Sequence, residues 1–304
     1  MTGAPSRHTR ELHELVAADT VEFGGKSAGL GELLRAGIPV PPGFAISTGA
    51  SGAMSGALRE EIAARHAQLG DDVPVAVRSS AVGEDSAEAT FAGQQDTYLW
   101  VRGVDAICEA VTRCWASLYS AEAVAYRERL GGAAAVHPAM GVTVQLMVDA
   151  AVSGVMFTCN PVSGDPSMVA VNASWGLGVA VVGGEVTPDD HLISKVTGEV
   201  VRRTINDKSV EYVPAAHGTQ RIEVTGERRR QACLDDGAIA ALVELGRRIE
   251  AHFGGPQDIE WAIDRDGELR VLQSRPVTGL PPRPPGPAPA SALALLMSQF
   301  GAGG

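Results

Sequence analysis

A run of alternating polar and apolar residues near the C-terminal end constrains the fold of this 304-residue chain more than any other feature: "QDIEWAIDRDGELRVLQSRP". Such alternation is typical of β-strands that bury one face. The two strand-like halves flank Asp266-Gly267, a dipeptide that favours a two-residue type I′ hairpin turn. That turn places Glu260 opposite Gln273. The sequence therefore predicts an antiparallel hairpin with a defined register.

The alternation gives the predicted hairpin two chemically different faces. One face is polar and carries Asp258, Glu260, Gln273 and Arg275. The other face is apolar and carries Ile259, Trp261, Ile263 and Leu272. A carboxylate beside an amide oxygen offers the oxygen ligands that Mg²⁺ accepts, and a neighbouring arginine can bind a phosphate through two hydrogen bonds. The alternative is an edge hairpin with a solvated polar face and an ordinary salt bridge between Asp258 and Arg275.

Helical and strand-like segments alternate through the rest of the chain, which predicts the α/β (α+β) class. Helical periodicity marks 26–37, 104–130 and 235–253. Strands are predicted in "VPVAV", in "VTVQLMV" and "SGVMFT" about a short turn, and in "SMVAVNAS". The proline-rich "LPPRPPGPAPA" interrupts this pattern. We therefore expect a folded body over 1–279 and an unstructured linker or tail over 280–304.

Composition excludes several classes of function. A net charge of −11 argues against a nucleic-acid or anionic-membrane surface, although a local basic cleft is compatible with it. The four cysteines form no C-x-x-C pair and are expected to be reduced and mostly buried. The sequence shows neither the apolar core of a signal peptide nor an apolar run of 18 residues. We expect a cytoplasmic, soluble protein.

The motif "GGKS" at 24–27 resembles the end of a phosphate-binding P-loop, but it is not one. The P-loop pattern requires a glycine five positions before Gly25, and Thr20 stands there. What remains is a pair of glycines that places Lys26 at the start of a helix, where main-chain amides and an ammonium group suit an anion. The alternative is a helix-start turn with a solvated lysine.

A cation in a buried strand is the unusual feature of "VAVRSSAVGEDSAEATFAGQQDTYL". We expect "VPVAV" to form a strand that delivers Arg78 to its end, where α/β folds tend to place ligand contacts. Hydroxyl groups for a bound ligand follow at Ser79, Ser80, Ser86 and Thr90, and Gly83 and Gly93 permit a mobile loop. The alternative is a capped strand followed by a polar surface loop.

Five ordered segments carry a resemblance to a known family: "FGGKSAGLGELLRAGIPVPPGFAIST", the arginine stretch above, "SGVMFTCNPVSG", "SWGLGVAVVGGEVTPD" and "PQDIEWAIDRDGELRVLQSRP". Together they resemble the ATP-binding domain shared by phosphoenolpyruvate synthase, pyruvate phosphate dikinase and rifampicin phosphotransferase. The resemblance covers roughly 20–279. It implies a two-lobed ATP-grasp-type fold, Mg²⁺, and transfer of the β-phosphoryl group of ATP to a histidine with release of AMP and phosphate.

The resemblance also implies roles for individual residues. Lys26, Arg78 and Arg275 match the catalytic cations that bind the phosphates, and Glu260 and Gln273 match the metal-associated pair. The segment from Gln145 to Val148, which includes Met147, resembles the strand that leads to the adenine-binding hinge. The alternation of the hairpin, which requires no knowledge of the family, points to the same polar residues.

Two departures from the family pattern shape the functional hypothesis. Val179 stands where the family usually has a glutamate in "WGLGEA", and none of the seven histidines lies in the glycine-rich motif of a phosphohistidine domain. We therefore predict a stand-alone ATP-binding subunit of a split dikinase-type phosphotransferase, whose partner is a separate chain that carries the histidine. The alternatives are a nucleotide-binding regulatory module without catalysis and an enzyme that phosphorylates a small molecule directly.

Overall fold

Two antiparallel sheets, each with its own apolar core and helices, form the two lobes of the molecule. The computed structural model describes residues 8–81, 97–120, 140–216 and 218–280. Helices and antiparallel sheets are mixed along the chain, so the predicted α/β (α+β) class and its two lobes are confirmed. The tail predicted over 280–304 lies outside the described residues except for Leu280, and the predicted domain boundary stays a prediction.

The first lobe is a five-stranded sheet covered on one face by two helices. Its strands are β1 (Thr9–Glu11), β2 (Gly43–Ile46), β3 (Val75–Ala81), β4 (Thr97–Val101) and β5 (Met140–Leu146), in the spatial order β1-β2-β5-β3-β4. Its helices are α3 (Gly56–Leu69) and α4 (Val104–Ser117). Apolar side chains of β3, β5 and both helices form one buried cluster, which fixes the helices on the sheet.

The second lobe is a six-stranded sheet. Its strands are β6 (Ala150–Phe157), β7 (Met168–Trp175), β8 (Asp189–Ser194), β9 (Val200–Thr204), β12 (Gln257–Asp264) and β13 (Leu269–Pro276), in the order β13-β12-β6-β7-β8-β9. A two-stranded ribbon and two helices complete the lobe: β10 (Val210–Pro214), β11 (Thr219–Glu223), α5 (Val179–Val182) and α6 (Asp236–Phe253). The helical periodicity predicted over 235–253 corresponds to α6, which buries most of its apolar side chains and is capped by the side chain of Asp235, although Phe253 is 37% exposed.

Helix α2 (Gly25–Arg35) follows the short helix α1 (Thr20–Phe23) and connects the two lobes. Its buried Leu30 and Leu33 belong to the core of the second lobe, while its first turn lies against β3 of the first. A Cβ atom at Gly24 would lie 2.1 Å from the carbonyl oxygen of Ser80, and this residue has a φ of 83°. The first glycine of "GGKS" is thus required by close packing of α2 on β3.

The connection between β5 and β6 corrects one prediction. The segments "VTVQLMV" and "SGVMFT" were expected as strands about a short turn, but β5 belongs to the first sheet and β6 to the second. Residues 147–149 therefore form a crossing between the lobes. The N–H of Leu146 donates to the carbonyl of Pro42, and that of Met147 to the carbonyl of Pro74, so the start of the crossing is tied to the first lobe.

The turn of the predicted hairpin is longer than the sequence suggested. The N–H of Asp264 donates to the carbonyl of Glu268 (3.1 Å), so three residues rather than two lie between the paired ends. A carboxylate oxygen of Asp264 accepts from the N–H groups of Asp266 (3.0 Å) and Glu268 (2.8 Å), and Gly267 takes a positive φ of 86°. The aspartate side chain organises this longer turn, which overrides the Asp-Gly signal.

A β-bulge in β13 corrects the predicted faces of the hairpin. Glu260 lies opposite Gln273 as predicted, but the next pair is Trp261 with Val271, so Leu272 is an extra residue. Val271, not Leu272, is buried in the core beside Trp261. Leu272 packs instead with a separate apolar cluster on the side of the polar pair, so the prediction that placed it on the core face is wrong.

Three further predictions are corrected or left open. Arg78 lies in the middle of β3 rather than at its end, because the strand continues through two buried serines to Ala81. The loop over 82–96, with Ser86 and Thr90, lies outside the described residues, as does the part of the predicted 104–130 helix beyond residue 120.

The cysteines of the chain are described in full. The four cysteines are free thiols, three of them buried. Among the helices of the described ranges, none combines the length and the apolar character that crossing a membrane requires.

Candidate functional site: a cleft between the lobes

A cleft of about 880 Å³ opens between the two sheets. The seven residues to which the resemblance assigned roles all line it: Lys26, Arg78, Gln145, Met147, Glu260, Gln273 and Arg275. Ser79 and Ser80, whose hydroxyls were predicted to face a ligand, do not belong to this lining. The cleft has a polar part, where strands β3, β12 and β13 face one another, and an apolar part near residues 147–150 and α5. This division matches a ligand with a charged end and an apolar, planar end.

Arg78 is the central residue of the polar part. It is 9% exposed, and its guanidinium group reaches from β3 of the first lobe to the hairpin of the second. Nη1 donates to the carbonyl of Leu272 (3.0 Å), and Nη2 donates to Oε2 of Glu260 (2.9 Å) and to Oε1 of Gln273 (2.5 Å). Its buried Nε has no hydrogen-bond partner within the described ranges. One cation thus connects both lobes.

Glu260 and Gln273 form a convergent pair of oxygen ligands. Both oxygens lie within hydrogen-bond distance of one nitrogen atom of Arg78, which stands as a cation between them. A carboxylate and an amide oxygen directed at one point make a donor set that suits Mg²⁺, with water and phosphate oxygens as further ligands. The residues present therefore fit the predicted metal, and their role as its ligands stays a prediction.

Lys26 enters the cleft from the first turn of α2. Its side chain is mostly buried, with 8% of the residue exposed, and Nζ donates to the carbonyl of Ser79 (3.1 Å). Ser27 next to it shares a buried hydrogen bond (2.7 Å) with Thr143 of β5, which fixes the helix start against the sheet. The ammonium group is therefore held beside the strand that carries Arg78, and the solvated-lysine alternative does not describe it.

Arg275 and Asp258 occupy the outer, more exposed end of the polar part. Nε of Arg275 donates to Oδ2 of Asp258 (2.9 Å), as their opposite positions in the hairpin predict. The arginine side chain is 47% exposed and the aspartate side chain 12%. The salt bridge expected for an ordinary edge hairpin is thus present, and both of its residues line the cleft.

Gln145 and Met147 lie where the first lobe passes into the second. Gln145 is 2% exposed and donates through Nε2 to the carbonyl of Pro41 (3.2 Å). Met147 packs with the apolar cluster that contains Leu177 and Leu272. The predicted adenine-side segment therefore borders the apolar part of the cleft, and its contact with a base stays a prediction.

Val179 lines the apolar part, at the position where the resemblance leads one to expect a glutamate. It belongs to the same apolar cluster as Leu177 and Ala262. In this chain the apolar part of the cleft thus gains a hydrocarbon side chain where relatives would place a charge.

Sequence reasoning missed Thr97 as a lining residue. Thr97 begins β4, lies opposite Arg78 in the first sheet, and borders the polar part of the cleft. The signal was present in "QQDTYL", because a strand that returns beside β3 brings its first residue next to the arginine. Ser153 and Gly154 of β6 also line the cleft and carried no distinctive motif.

The histidines of the described ranges lie away from the cleft lining: His8, His13, His66, His191 and His252. His66 is buried and its Nε2 lies 2.8 Å from the carbonyl of Val73. His191 is fully buried in β8, and burial lowers the pKa of its imidazole. His137 and His217 fall outside the described residues.

Comparisons with known proteins identify the family of this chain. The family model described as pyruvate phosphate dikinase, AMP/ATP-binding domain, matches residues 50–291. A probable phosphoenolpyruvate synthase of Methanothermobacter thermautotrophicus is 41% identical, over 88% of this chain and 46% of that protein. A rifampicin phosphotransferase of a Streptomyces species is 42% identical, over 90% of this chain and 36% of that protein.

This chain therefore spans less than half the length of these relatives. Among solved structures, L-amino acid ligase from Bacillus licheniformis is similar with a TM-score of 0.36 and 13% identity, over 84% of this chain and 43% of that one. The matched segment includes β3, β6, β12 and β13, which carry most of the polar side chains of the cleft. The chain belongs to the pyruvate phosphate dikinase AMP/ATP-binding domain family, as the resemblance in its sequence implied.

Proposed function

We propose that this chain is the ATP-binding component of a dikinase-type phosphotransferase, which binds Mg·ATP in the cleft and passes the β-phosphoryl group to a histidine. The observation that carries the proposal is the meeting of Lys26, Arg78 and Arg275 with Glu260 and Gln273 in one cleft that also has an apolar part. Cations and oxygen ligands of this kind suit a polyphosphate, and the apolar part suits a base.

The cations of the cleft act mainly by position and charge. Phosphoryl transfer demands that the nucleophile lie in line with the leaving oxygen and that negative charge on the phosphates be stabilised. Lys26 is held by α2, while Arg78 and Arg275 approach from strands of opposite lobes. Side chains anchored on regular elements keep their positions, so the phosphates would be oriented without a large loss of side-chain freedom.

Glu260 and Gln273 would hold the metal ion. When bound, Mg²⁺ neutralises phosphate charge and so favours attack on the β-phosphorus. The bond between the β-phosphorus and the oxygen that bridges it to the α-phosphate breaks, AMP leaves, and the terminal phosphate is later released by reaction with water. The histidine nitrogen carries the β-phosphoryl group.

The acceptor histidine is proposed to lie outside the lining of this cleft, on a phosphohistidine domain of a separate chain. The described histidines support this proposal, because His66 and His191 are buried within the two lobes and cannot reach a nucleotide. A histidine on a mobile domain would visit the cleft, accept the phosphoryl group and carry it to the final acceptor.

The first experiment measures nucleotide binding. Mg·ATP should raise the melting temperature, because a ligand that binds only the folded state stabilises it; a ligand concentration 100-fold above Kd adds about 2.7 kcal/mol. The variant Arg78→Met should lose most of this shift, and Arg229→Met, a change at an exposed residue outside the lining of the cleft, should retain it. No shift with the unmodified protein at millimolar Mg·ATP would refute the proposal.

The second experiment follows the phosphoryl group. The chain is incubated with ATP labelled at the β-phosphate, alone and with the histidine-bearing part of a relative such as the Methanothermobacter protein. AMP should form rapidly only with the added domain, and the label should appear on that domain. Stable label on this chain, or repeated AMP release with a small-molecule acceptor alone, would favour direct phosphorylation.

A nucleotide-binding regulatory module is the second candidate. Val179 favours it, since this residue removes a carboxylate that the resemblance leads one to expect in the cleft. Tight Mg·ATP binding without AMP formation, even with a histidine domain present, would support that role.

A further inference from the structure

Arg78 has two sets of partners that exclude each other. In the structure its Nη2 occupies the point at which Glu260 Oε2 and Gln273 Oε1 converge, and its Nη1 donates to the carbonyl of Leu272. The same guanidinium is the cation assigned to the phosphates in the proposed function. The same N–H groups of Arg78 cannot donate at once to the oxygens of Glu260 and Gln273 and to a phosphate.

We infer that Arg78 acts as an internal plug of the metal site, so that a divalent cation binds there only after a nucleotide has drawn the arginine away. This inference rests on the proposed function, because it takes Glu260 and Gln273 as the metal ligands. Metal and nucleotide then bind in a coupled manner, and the metal alone is excluded.

The electrostatics favour such a plug. The Arg78 side chain is 11% exposed and the Glu260 side chain 31%, so their attraction is screened less by water than that of a surface pair. A divalent ion that arrived alone would have to displace a positive charge held by three acceptors and would leave that charge in the same cleft. Repulsion between the two cations opposes this step.

A bound nucleotide should allow the divalent cation to replace Arg78 beside Glu260 and Gln273. Its phosphates offer Arg78 a bidentate partner of greater negative charge, and the freed carboxylate and amide oxygens then face the cation that the phosphates bring with them. The Nε of Arg78, which has no hydrogen-bond partner among the described residues, provides an additional donor for that exchange. The plug is therefore released by the ligand that needs the metal.

Mn²⁺ binding in the absence of nucleotide tests whether Arg78 blocks the metal site. In the absence of nucleotide, electron paramagnetic resonance should show no saturable Mn²⁺ binding to the unmodified protein at micromolar metal. The variant Arg78→Ala, which loses a proposed phosphate contact, should nonetheless bind Mn²⁺ without nucleotide about tenfold more tightly or better, since the partly buried Glu260 carboxylate is left without its cation.

Two controls separate the plug from a general effect of charge. Arg275→Ala removes an equal charge from the same cleft, at a residue whose partner is Asp258, and should increase Mn²⁺ affinity far less. The double variant Arg78→Ala/Glu260→Gln should abolish the new binding. Arg78→Gln, checked by circular dichroism, serves in the same assay if the alanine variant does not fold.

The possible outcomes distinguish the blocking of the metal site by Arg78 from the proposed binding of Mg·ATP. Equal Mn²⁺ affinity in the unmodified protein and in Arg78→Ala, or equal gains in the Arg78 and Arg275 variants, would overturn the plug while leaving Mg·ATP stabilisation of the unmodified protein intact. Loss of that stabilisation in the unmodified protein would overturn the proposed function instead.

Discussion

The molecule contains two ion pairs that differ in their burial. One lies in the interior of the second lobe and the other lies in the cleft, and the difference indicates which pair supports the fold and which can bind a ligand. Lys208 and Asp189 are both fully buried, with Nζ 2.5 Å from Oδ1. Arg78 and Glu260 are less completely buried, at 11% and 31% side-chain exposure, with Nη2 2.9 Å from Oε2.

The hydrogen bonds around the two carboxylates differ as well. Asp189 also accepts from the N–H groups of Asn206 and Cys233, both at 2.9 Å, and Lys208 donates to the carbonyl of Asn206. These bonds tie three segments of the chain together, and the pair has no open side. The Arg78 contact instead borders a cleft, so a ligand can enter and replace either partner. A closed pair stabilises the fold, whereas an open one can exchange partners.

Breaking the closed pair should produce the largest effect. Lys208→Met leaves the Asp189 carboxylate buried without its cation, which costs about 3–5 kcal/mol of unfolding free energy. Urea denaturation measures the loss. The control is Arg229→Met, whose partner Asp207 lies on the surface, and which should cost less than about 1 kcal/mol. Similar losses in both variants would contradict the distinction between a closed and an exposed pair.

Breaking the open pair should spare the fold and remove the ligand response. Glu260→Ala and Gln273→Ala should each cost less unfolding free energy than Lys208→Met, because the Arg78 guanidinium that loses a partner borders an open cleft. Both variants should lose the roughly 2–3 kcal/mol of stabilisation that saturating Mg·ATP provides. Trp261→Ala, from the opposite face of the same strand, should cost about 3–5 kcal/mol because its ring is fully buried. Retention of the full Mg·ATP response in both polar variants would show that the metal assignment is wrong.

The buried histidine of β8 should make the stability of the second lobe depend weakly on pH. His191 lies on the same strand as Asp189, fully buried, and neither ring nitrogen has a hydrogen-bond partner within the described ranges. Burial lowers its pKa below the ordinary value of 6.5, so the unfolded chain takes up a proton that the folded chain excludes. The folded state should therefore lose stability as pH falls below 6.5, down to the lowered pKa.

Urea denaturation at a series of pH values tests this expectation. The variant His191→Leu should show a shallower loss of stability between neutral and mildly acidic pH, whereas His13→Asn, a change at an exposed residue, should keep the slope of the unmodified protein. An unchanged slope in the His191 variant would assign the acid sensitivity to other groups.

The cleft residues were predictable from sequence because each lies in a local pattern. Alternation in the hairpin put Glu260 and Gln273 on one face, and the glycines of "GGKS" placed Lys26 at a helix start. What local patterns could not give is the distance between lobes. Arg78 and Gln273 are 195 residues apart in sequence, and only the packing of two sheets brings them into contact.

The corrected predictions have physical causes of the same kind. Residues 147–149 were predicted as a short turn between two strands. A short break in the sequence pattern looks the same whether the two flanking strands pair with each other or belong to different sheets. The side chain of Asp264 favoured a longer turn than Asp266-Gly267 alone implies. The register of the polar pair was nevertheless right, since the extra residue of the turn is offset by the bulge at Leu272.

That bulge has a consequence for insertions and deletions. Leu272 is the only residue between Val271, which pairs with Trp261, and Gln273, which pairs with Glu260. Removing it would convert the bulged strand into a regular one while both neighbouring pairs stay opposite each other. A one-residue gap at this point is therefore neutral for the register, although it removes the Leu272 carbonyl that holds Arg78. Related hairpins can differ in length here and still present the same two oxygens to the cleft.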